Sequence, residues 1–77
     1  MCLAVPALIE SINADCSAIV NILGVQRQVA LDLVPQAKLN DYVLVHAGFA
    51  IEIVDKQFAL ETLELIQEFP ELAGDNL

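Results

Sequence analysis

The sequence predicts a mostly β fold, a small antiparallel β-barrel with a C-terminal α-helix, and three observations support this prediction. Four segments between residues 3 and 54 alternate apolar and polar residues with the period of two that is typical of half-buried strands. Turn-forming residues, among them Asn13, Asp15 and Gly24, separate these segments. Helical periodicity is confined to residues 55–69. Short antiparallel strands with one terminal helix are typical of partly open, OB-like barrels.

The first predicted strand covers residues 3–12. Its odd-numbered residues form an apolar face that we expect to point into the core, which leaves Cys2, Ala4 and Pro6 on the opposite face. Because proline lacks an N–H, it is tolerated mainly on edge strands or at bulges, so we expect this strand at the rim of the sheet. The predicted inward residues are Leu3, Val5, Ala7 and Ile9.

The second and third predicted strands, residues 16–23 and 26–33, form an antiparallel hairpin around the turn that contains Gly24. A loop follows at residues 34–41, where Pro35 and an Asn-Asp pair interrupt the alternation. The predicted inward residues are Ala18, Val20 and Ile22 on one strand and Val29, Leu31 and Leu33 on the other.

Residues 42–54 are predicted to form one long strand in which Gly48 marks a bulge or a sharp bend. Bends of this kind let a short sheet curl into a barrel. If Val43, Val45 and Ala47 face inward, His46 lies on the outer face and is accessible. Its predicted neighbours on that face are Tyr42, Leu44 and Gly48.

A C-terminal helix is predicted to begin after Asp55, a good N-cap, and to end at Pro70. Its apolar face is expected to dock on the barrel, and its glutamates to be solvated. Leu60 lies off the apolar stripe and is a candidate exposed contact. The residues of the stripe are Phe58, Ala59, Thr62, Leu63, Ile66 and Phe69.

Length, composition and charge limit the function. The chain of 77 residues makes one domain, with a barrel at about 1–54, a helix at about 55–69 and a flexible tail at 70–77, too small for a multistep catalytic cleft. Its net charge of −8 disfavours nucleic acid and anionic membrane surfaces as partners. Neither a signal sequence nor an apolar run of about 20 residues is present, so we expect a cytoplasmic protein. An apolar content of 57% predicts an exposed patch for a partner protein.

Cys2 and His46 are the residues most suited to carry chemistry. A thiolate and an imidazole are both within the range of iron, but two ligands do not close a site, so a partner or the metal's own ligands would complete it. A lone histidine in an apolar strand is more often a packing residue than a ligand, and the sequence leaves both alternatives open. Nucleophilic catalysis is a competing use of the same pair. We expect no enzyme, because so small a barrel with a terminal thiol cannot hold reacting groups in place.

Three segments carry a family resemblance: residues 1–6 (MCLAVP), 24–29 (GVQRQV) and 42–51 (YVLVHAGFAI). In this order and spacing they resemble the HypC/HupF/HybG family of NiFe-hydrogenase maturation chaperones. The Cys-x-x-x-Pro start and the V-L-V-H-x-G-F-A segment are far more specific together than either is alone. The resemblance extends to about Phe69, and it departs from the family pattern at Ala7 and Gln28.

This resemblance implies a non-enzymatic assembly factor without a permanently bound cofactor. It implies that the chain pairs with a HypD-type iron–sulfur scaffold protein while a transient Fe(CN)2CO unit is built, and then accompanies that unit to the hydrogenase large-subunit precursor. Cys2 matches the family's functional thiol, exposed once Met1 is removed, and His46 matches the histidine of the second motif, so these two are the candidate contacts of the iron. The implied motif and interaction residues are Leu3, Ala4, Pro6, Gly24, Arg27, Leu44, Gly48 and Phe49.

Cys16 falls outside the matching segments, and we interpret it as an incidental buried or turn-edge residue. The alternative to the maturation chaperone, from another class, is a generic OB-like protein-interaction module without metal chemistry.

Overall fold

The computed structural model describes residues 4–69, so the predictions for Cys2, Leu3 and residues 70–77 lie outside the described residues. The five strands form a closed barrel in the order β1-β2-β3-β5-β4. The predicted fold class, a mostly β barrel with a C-terminal helix, is therefore confirmed. The elements are β1 (Val5–Ile12), β2 (Ser17–Ile22), β3 (Val25–Ala30), β4 (Tyr42–His46), β5 (Phe49–Val54) and α1 (Lys56–Glu68).

The alternation of the strands correctly predicts most of the core. One exception is Leu33, which is 61% exposed. Because β3 ends at Ala30, the chain turns before Leu33, and the period of two no longer applies there. Val34 is buried instead. The buried apolar residues on the strands are Val5, Ala7, Ile9, Ala18, Val20, Ile22, Val29, Val43, Val45 and Ala50.

The prediction that β1 lies at the rim of the sheet is wrong, because β1 pairs with β2 on one side and β4 on the other. Proline is nevertheless tolerated. Ile9 exchanges backbone hydrogen bonds with the residues preceding β4, so alternate residues such as Pro6 and Leu8 direct their backbone groups towards β2. Pairing with β2 begins only at Leu8. Pro6 therefore lies beyond the paired segment, where its missing N–H costs no ladder hydrogen bond.

The prediction of one long strand at 42–54 is also wrong, because the chain reverses at Ala47–Gly48. Both turn residues have positive φ, 53° and 84°, as a two-residue type I′ hairpin turn requires. Ala47, predicted to point inward, lies exposed in this turn. The bulge of this hairpin falls at Ile51, between the pairs Leu44↔Glu52 and Val45↔Ala50.

The barrel closes through its weakest junction, between β3 and β5. These two strands are parallel and share one paired position, Ala30↔Phe49, in contrast to the all-antiparallel sheet predicted. The N–H of Ala30 also donates to the carbonyl of Gly48 at 2.9 Å. The β4–β5 turn is thereby held against the end of β3.

Helix α1 begins as predicted. The Asp55 carboxylate accepts a hydrogen bond from the Phe58 N–H at 2.8 Å, the N-cap interaction that satisfies a free donor of the first turn. Ala59 and Ile66 are buried, and the helix packs on β1 and β4. Phe58 and Phe69, predicted to dock with them, are 46% and 48% exposed. Each lies at one end of the helix, where the barrel no longer covers the stripe.

Leu60 is exposed, as the helical pattern predicts. Cys16 is an exposed free thiol with φ of 64° in the turn before β2, which agrees with the turn-edge interpretation. Within residues 4–69, no helix has the length and hydropathy needed to cross a membrane.

Candidate functional site

The candidate site is centred on His46, the last residue of β4. Val43 and Val45 point into the core and are at most 3% exposed, whereas Tyr42, Leu44 and His46 alternate with them on the outer face and are half-buried. The chain's single histidine is therefore placed outside the core, on the face that the alternation predicts. Among the side-chain hydrogen bonds found for residues 4–69, none involves His46.

The start of β1 lies beside this histidine. The pairs Val5↔Val45 and Pro6↔Leu44 set the register, and Ala4 directly precedes the residue that pairs with Val45, the neighbour of His46 in β4. Ala4 is half-buried and Pro6 is fully buried, so Pro6 does not form part of the exposed surface. Cys2 precedes Ala4 by two residues in the chain and is outside the described part.

An exposed apolar surface flanks His46 on β5. Phe49 pairs directly with His46 and is 46% exposed. Ile51 lies at the bulge and is 41% exposed. Gly48 lies in the turn between His46 and Phe49 and has φ of 84°. Glycine adopts this conformation without steric strain, which permits the short connection that places His46 beside Phe49. The V-L-V-H-x-G-F-A motif thus folds into a hairpin that presents an imidazole and a phenyl ring side by side.

The central motif, residues 24–29, lies away from the His46 surface. Gly24 forms the β2–β3 turn, and its N–H donates to the Asn21 side-chain carbonyl at 2.8 Å. Arg27 is exposed on β3 opposite Val20. Since β3 pairs with β2 and β5 and not with β4, the structure does not join Arg27 to the His46 surface.

A groove next to this site was not predicted from the sequence. It is open to solvent, has a volume of about 390 Å³, and runs between the outer face of the β4–β5 hairpin and the first turn of α1. We call it the β5–α1 groove. The sequence carried only part of the signal: a two-residue hairpin at Ala47–Gly48 would pair Leu44 with Ile51, and the bulge at Ile51 shifts that partner to Glu52. The groove is lined by Leu44, Glu52, Ile53, Val54, Asp55 and Phe58.

The site has the chemistry of a binding surface. In the part of the chain that the structure describes, no group of three or more His, Cys, Asp or Glu side chains is placed to hold a metal ion. A neutral imidazole can accept a hydrogen bond or a metal at one nitrogen while it donates from the other. His46 therefore offers one ligand or hydrogen-bonding group to a bound species, next to an apolar contact area.

Comparisons with known proteins agree with the motifs. The model of the HupF/HypC family matches residues 1–66. Hydrogenase maturation factor HypC of Cupriavidus necator is 41% identical over 68 residues, covering 88% of this chain and 76% of that protein. The protein of the same name from Synechocystis sp. is 44% identical over 68 residues, covering 82% and 90% respectively. That from Azotobacter chroococcum is 38% identical over 73 residues, covering 95% and 87%.

Proposed function

Since this chain belongs to the HupF/HypC family, we propose that it is a hydrogenase maturation chaperone with no enzymatic activity of its own. Its partners are a HypD-type iron–sulfur scaffold protein and the precursor of a NiFe-hydrogenase large subunit. It carries an Fe(CN)2CO unit, as cargo, from the first to the second. We expect it to act in the cytoplasm, and its charge of −8 makes nucleic acid an unsuitable partner.

The observation that carries this proposal is the position of His46. The imidazole lies on the outer face, next to Val45, which pairs with the first residue of β1, and Cys2 precedes that strand by three residues in sequence. One thiolate and one imidazole make an incomplete ligand set for iron. An incomplete set suits a cargo that arrives with its own cyanide and carbonyl ligands and must leave again.

The apolar surface beside His46 suits the second requirement of a carrier, which is to bind two proteins in succession. Phe49 and Ile51 provide two exposed apolar side chains. Small apolar contacts of this kind favour moderate affinity, and moderate affinity permits exchange from scaffold to precursor.

The test is to purify the chain from anaerobic cells with a C-terminal tag and to record its infrared spectrum and its co-purifying proteins. We expect cyanide and carbonyl bands, together with the scaffold and the precursor. Cys2→Ala removes the bands and stops maturation of the hydrogenase. Cys16→Ser is the matched control, since its thiol lies in the turn before β2, and it behaves as the wild type. Full maturation with Cys2→Ala would overturn the proposal.

The second candidate, a protein-interaction module without metal chemistry, is favoured by the exposed Phe49 and Phe58 alone. It predicts binding of the same partners with no infrared bands. It also predicts that His46→Ala and Cys2→Ala both retain maturation.

A further inference from the structure

The β5–α1 groove combines apolar walls with a carboxylate. Leu44 and Val54 are half-buried on its floor, and Phe58 contributes a ring that is 46% exposed. Glu52 is exposed on the same face, directly across from Leu44. No side-chain hydrogen bond found between residues 4 and 69 involves the Glu52 carboxylate. It is therefore available to a ligand.

The two carboxylates of the groove differ in their availability. Asp55 caps α1 through one oxygen, which accepts the Phe58 N–H, and its charge interacts with the positive end of the helix dipole. Glu52 lies on the strand, three residues before this cap, and has no such role. Glu52 is thus the group that determines which charge the groove accepts.

These features specify the chemistry of the occupant. A purely apolar side chain would desolvate Glu52 without replacing its hydrogen bonds with water, which is unfavourable. A long side chain with an apolar stem and a cationic head satisfies both the walls and the carboxylate. The volume of about 390 Å³ is at the small end of ligand pockets, roughly 300–1,000 Å³, and suits one such side chain.

We propose that the β5–α1 groove seats a lysine or arginine side chain of the partner protein, with its stem on Val54 and Phe58 and its cationic head beside Glu52. This inference rests on the proposed function for the identity of the partner. The groove adjoins the His46 surface, because Leu44 and His46 lie on the same face of β4. One partner therefore covers both, and the basic residue sets its orientation.

Charge disfavours the other occupants. A second copy of this chain also carries −8 and has only three basic residues, Arg27, Lys38 and Lys56. The chain's own segment 70–77 contains Glu71 and Asp75 and no basic residue, so it would bring like charge to Glu52.

The test measures binding of purified HypD-type scaffold and of large-subunit precursor by biolayer interferometry at physiological salt. We expect Glu52→Lys to weaken binding of at least one partner by about tenfold or more, and Glu52→Gln by a smaller factor. Glu64→Lys is the matched control, because it makes the same change in net charge on an exposed part of α1 and should alter the affinity less than about twofold. Phe58→Ala weakens binding, whereas Leu60→Ala, exposed on the same helix but outside the groove, does not.

Charge reversal identifies the bound residue. Individual Lys→Glu and Arg→Glu changes in the partner that binds should include one that restores affinity for Glu52→Lys while weakening binding of the wild type. Equal effects of Glu52→Lys and Glu64→Lys would overturn the groove proposal and leave the proposed function intact.

If the wild type binds neither partner, the proposed function is rejected. A second measurement then tests the cation-binding groove independently of the proposed function. N-acetylarginine amide is titrated into the 15N-labelled chain. We expect chemical-shift changes concentrated at Glu52, Val54 and Phe58, and their loss in Glu52→Gln. Shift changes spread evenly over the acidic surface, or unaltered in Glu52→Gln, would overturn the groove as a cation-binding site.

Discussion

Replacing His46 by alanine tests whether the imidazole belongs to the core or to the functional surface. His46 is half-buried on the outer face and takes part in none of the side-chain hydrogen bonds found for residues 4–69. We expect the free energy of unfolding to fall by no more than about 1 kcal/mol. For a chain of 77 residues, an unfolding entropy of roughly 2.1 cal/mol/K per residue converts this to about 6 °C in Tm or less.

The comparison is Val45→Ala, one residue earlier in β4. Val45 is 3% exposed, so its truncation removes about 0.8 kcal/mol per buried methyl-sized group and leaves a cavity. We expect a loss of about 2–3 kcal/mol, which corresponds to roughly 12–18 °C in Tm by the same conversion. The two neighbours should therefore differ clearly in a thermal melt.

The assay pairs circular dichroism melts with processing of the hydrogenase large subunit in cells that lack the native gene. His46→Ala should melt close to the wild type and support little maturation. Leu60→Ala is a control for a change at another exposed position. A Tm as low as that of Val45→Ala would mean that the imidazole is a packing residue, and full maturation by a stable His46→Ala protein would remove it from the site.

Three further predictions follow from local geometry and from the chain end. Ala47→Gly should raise the free energy of unfolding by up to about 1 kcal/mol, because φ of 53° is strained for a residue with a Cβ, and a lower Tm would contradict this. Asp55→Ala should lower the free energy of unfolding by about 1 kcal/mol through loss of the N-cap, whereas Asp55→Asn should retain most of the capping stabilisation. Identical urea midpoints for the two variants would refute the capping argument. An N-terminal extension that retains Met1 should block maturation, because removal of Met1 would give Cys2 a free α-amine, and the positive charge of that amine favours the neighbouring thiolate. A tag after Leu77 should be tolerated, and full maturation by a chain shown by mass spectrometry to keep Met1 would disprove the requirement.

Local patterns of the sequence determined which face of each strand is buried and where the helix begins. Val43 and Val45 point inward and His46 outward because successive side chains of a strand alternate, whatever the strand pairs with. Asp55 caps α1 because its carboxylate accepts an N–H only three residues later in the chain, which is a local interaction. The outward position of His46 was predictable for the same reason, whereas the family resemblance rested on three separate segments taken together.

Apart from the β2–β3 hairpin, which the turn at Gly24 predicts, only the tertiary structure decided which elements become neighbours. A glycine with positive φ is compatible with a bulge or with a reversal, and only the pairing of β4 with β5 selects the turn at Ala47–Gly48. Pro6 indicated an edge strand, but long-range pairing with β4 gave β1 two partners and left the proline just beyond the reach of β2. The β5–α1 groove also depends on tertiary contacts. It forms because Glu52 lies opposite Leu44 and the first turn of α1 packs beside them. Alternation specifies the side of the sheet on which a residue lies, whereas hydrogen bonds between distant segments specify which strands are adjacent. The groove is formed by adjacent elements, so alternation alone does not predict it.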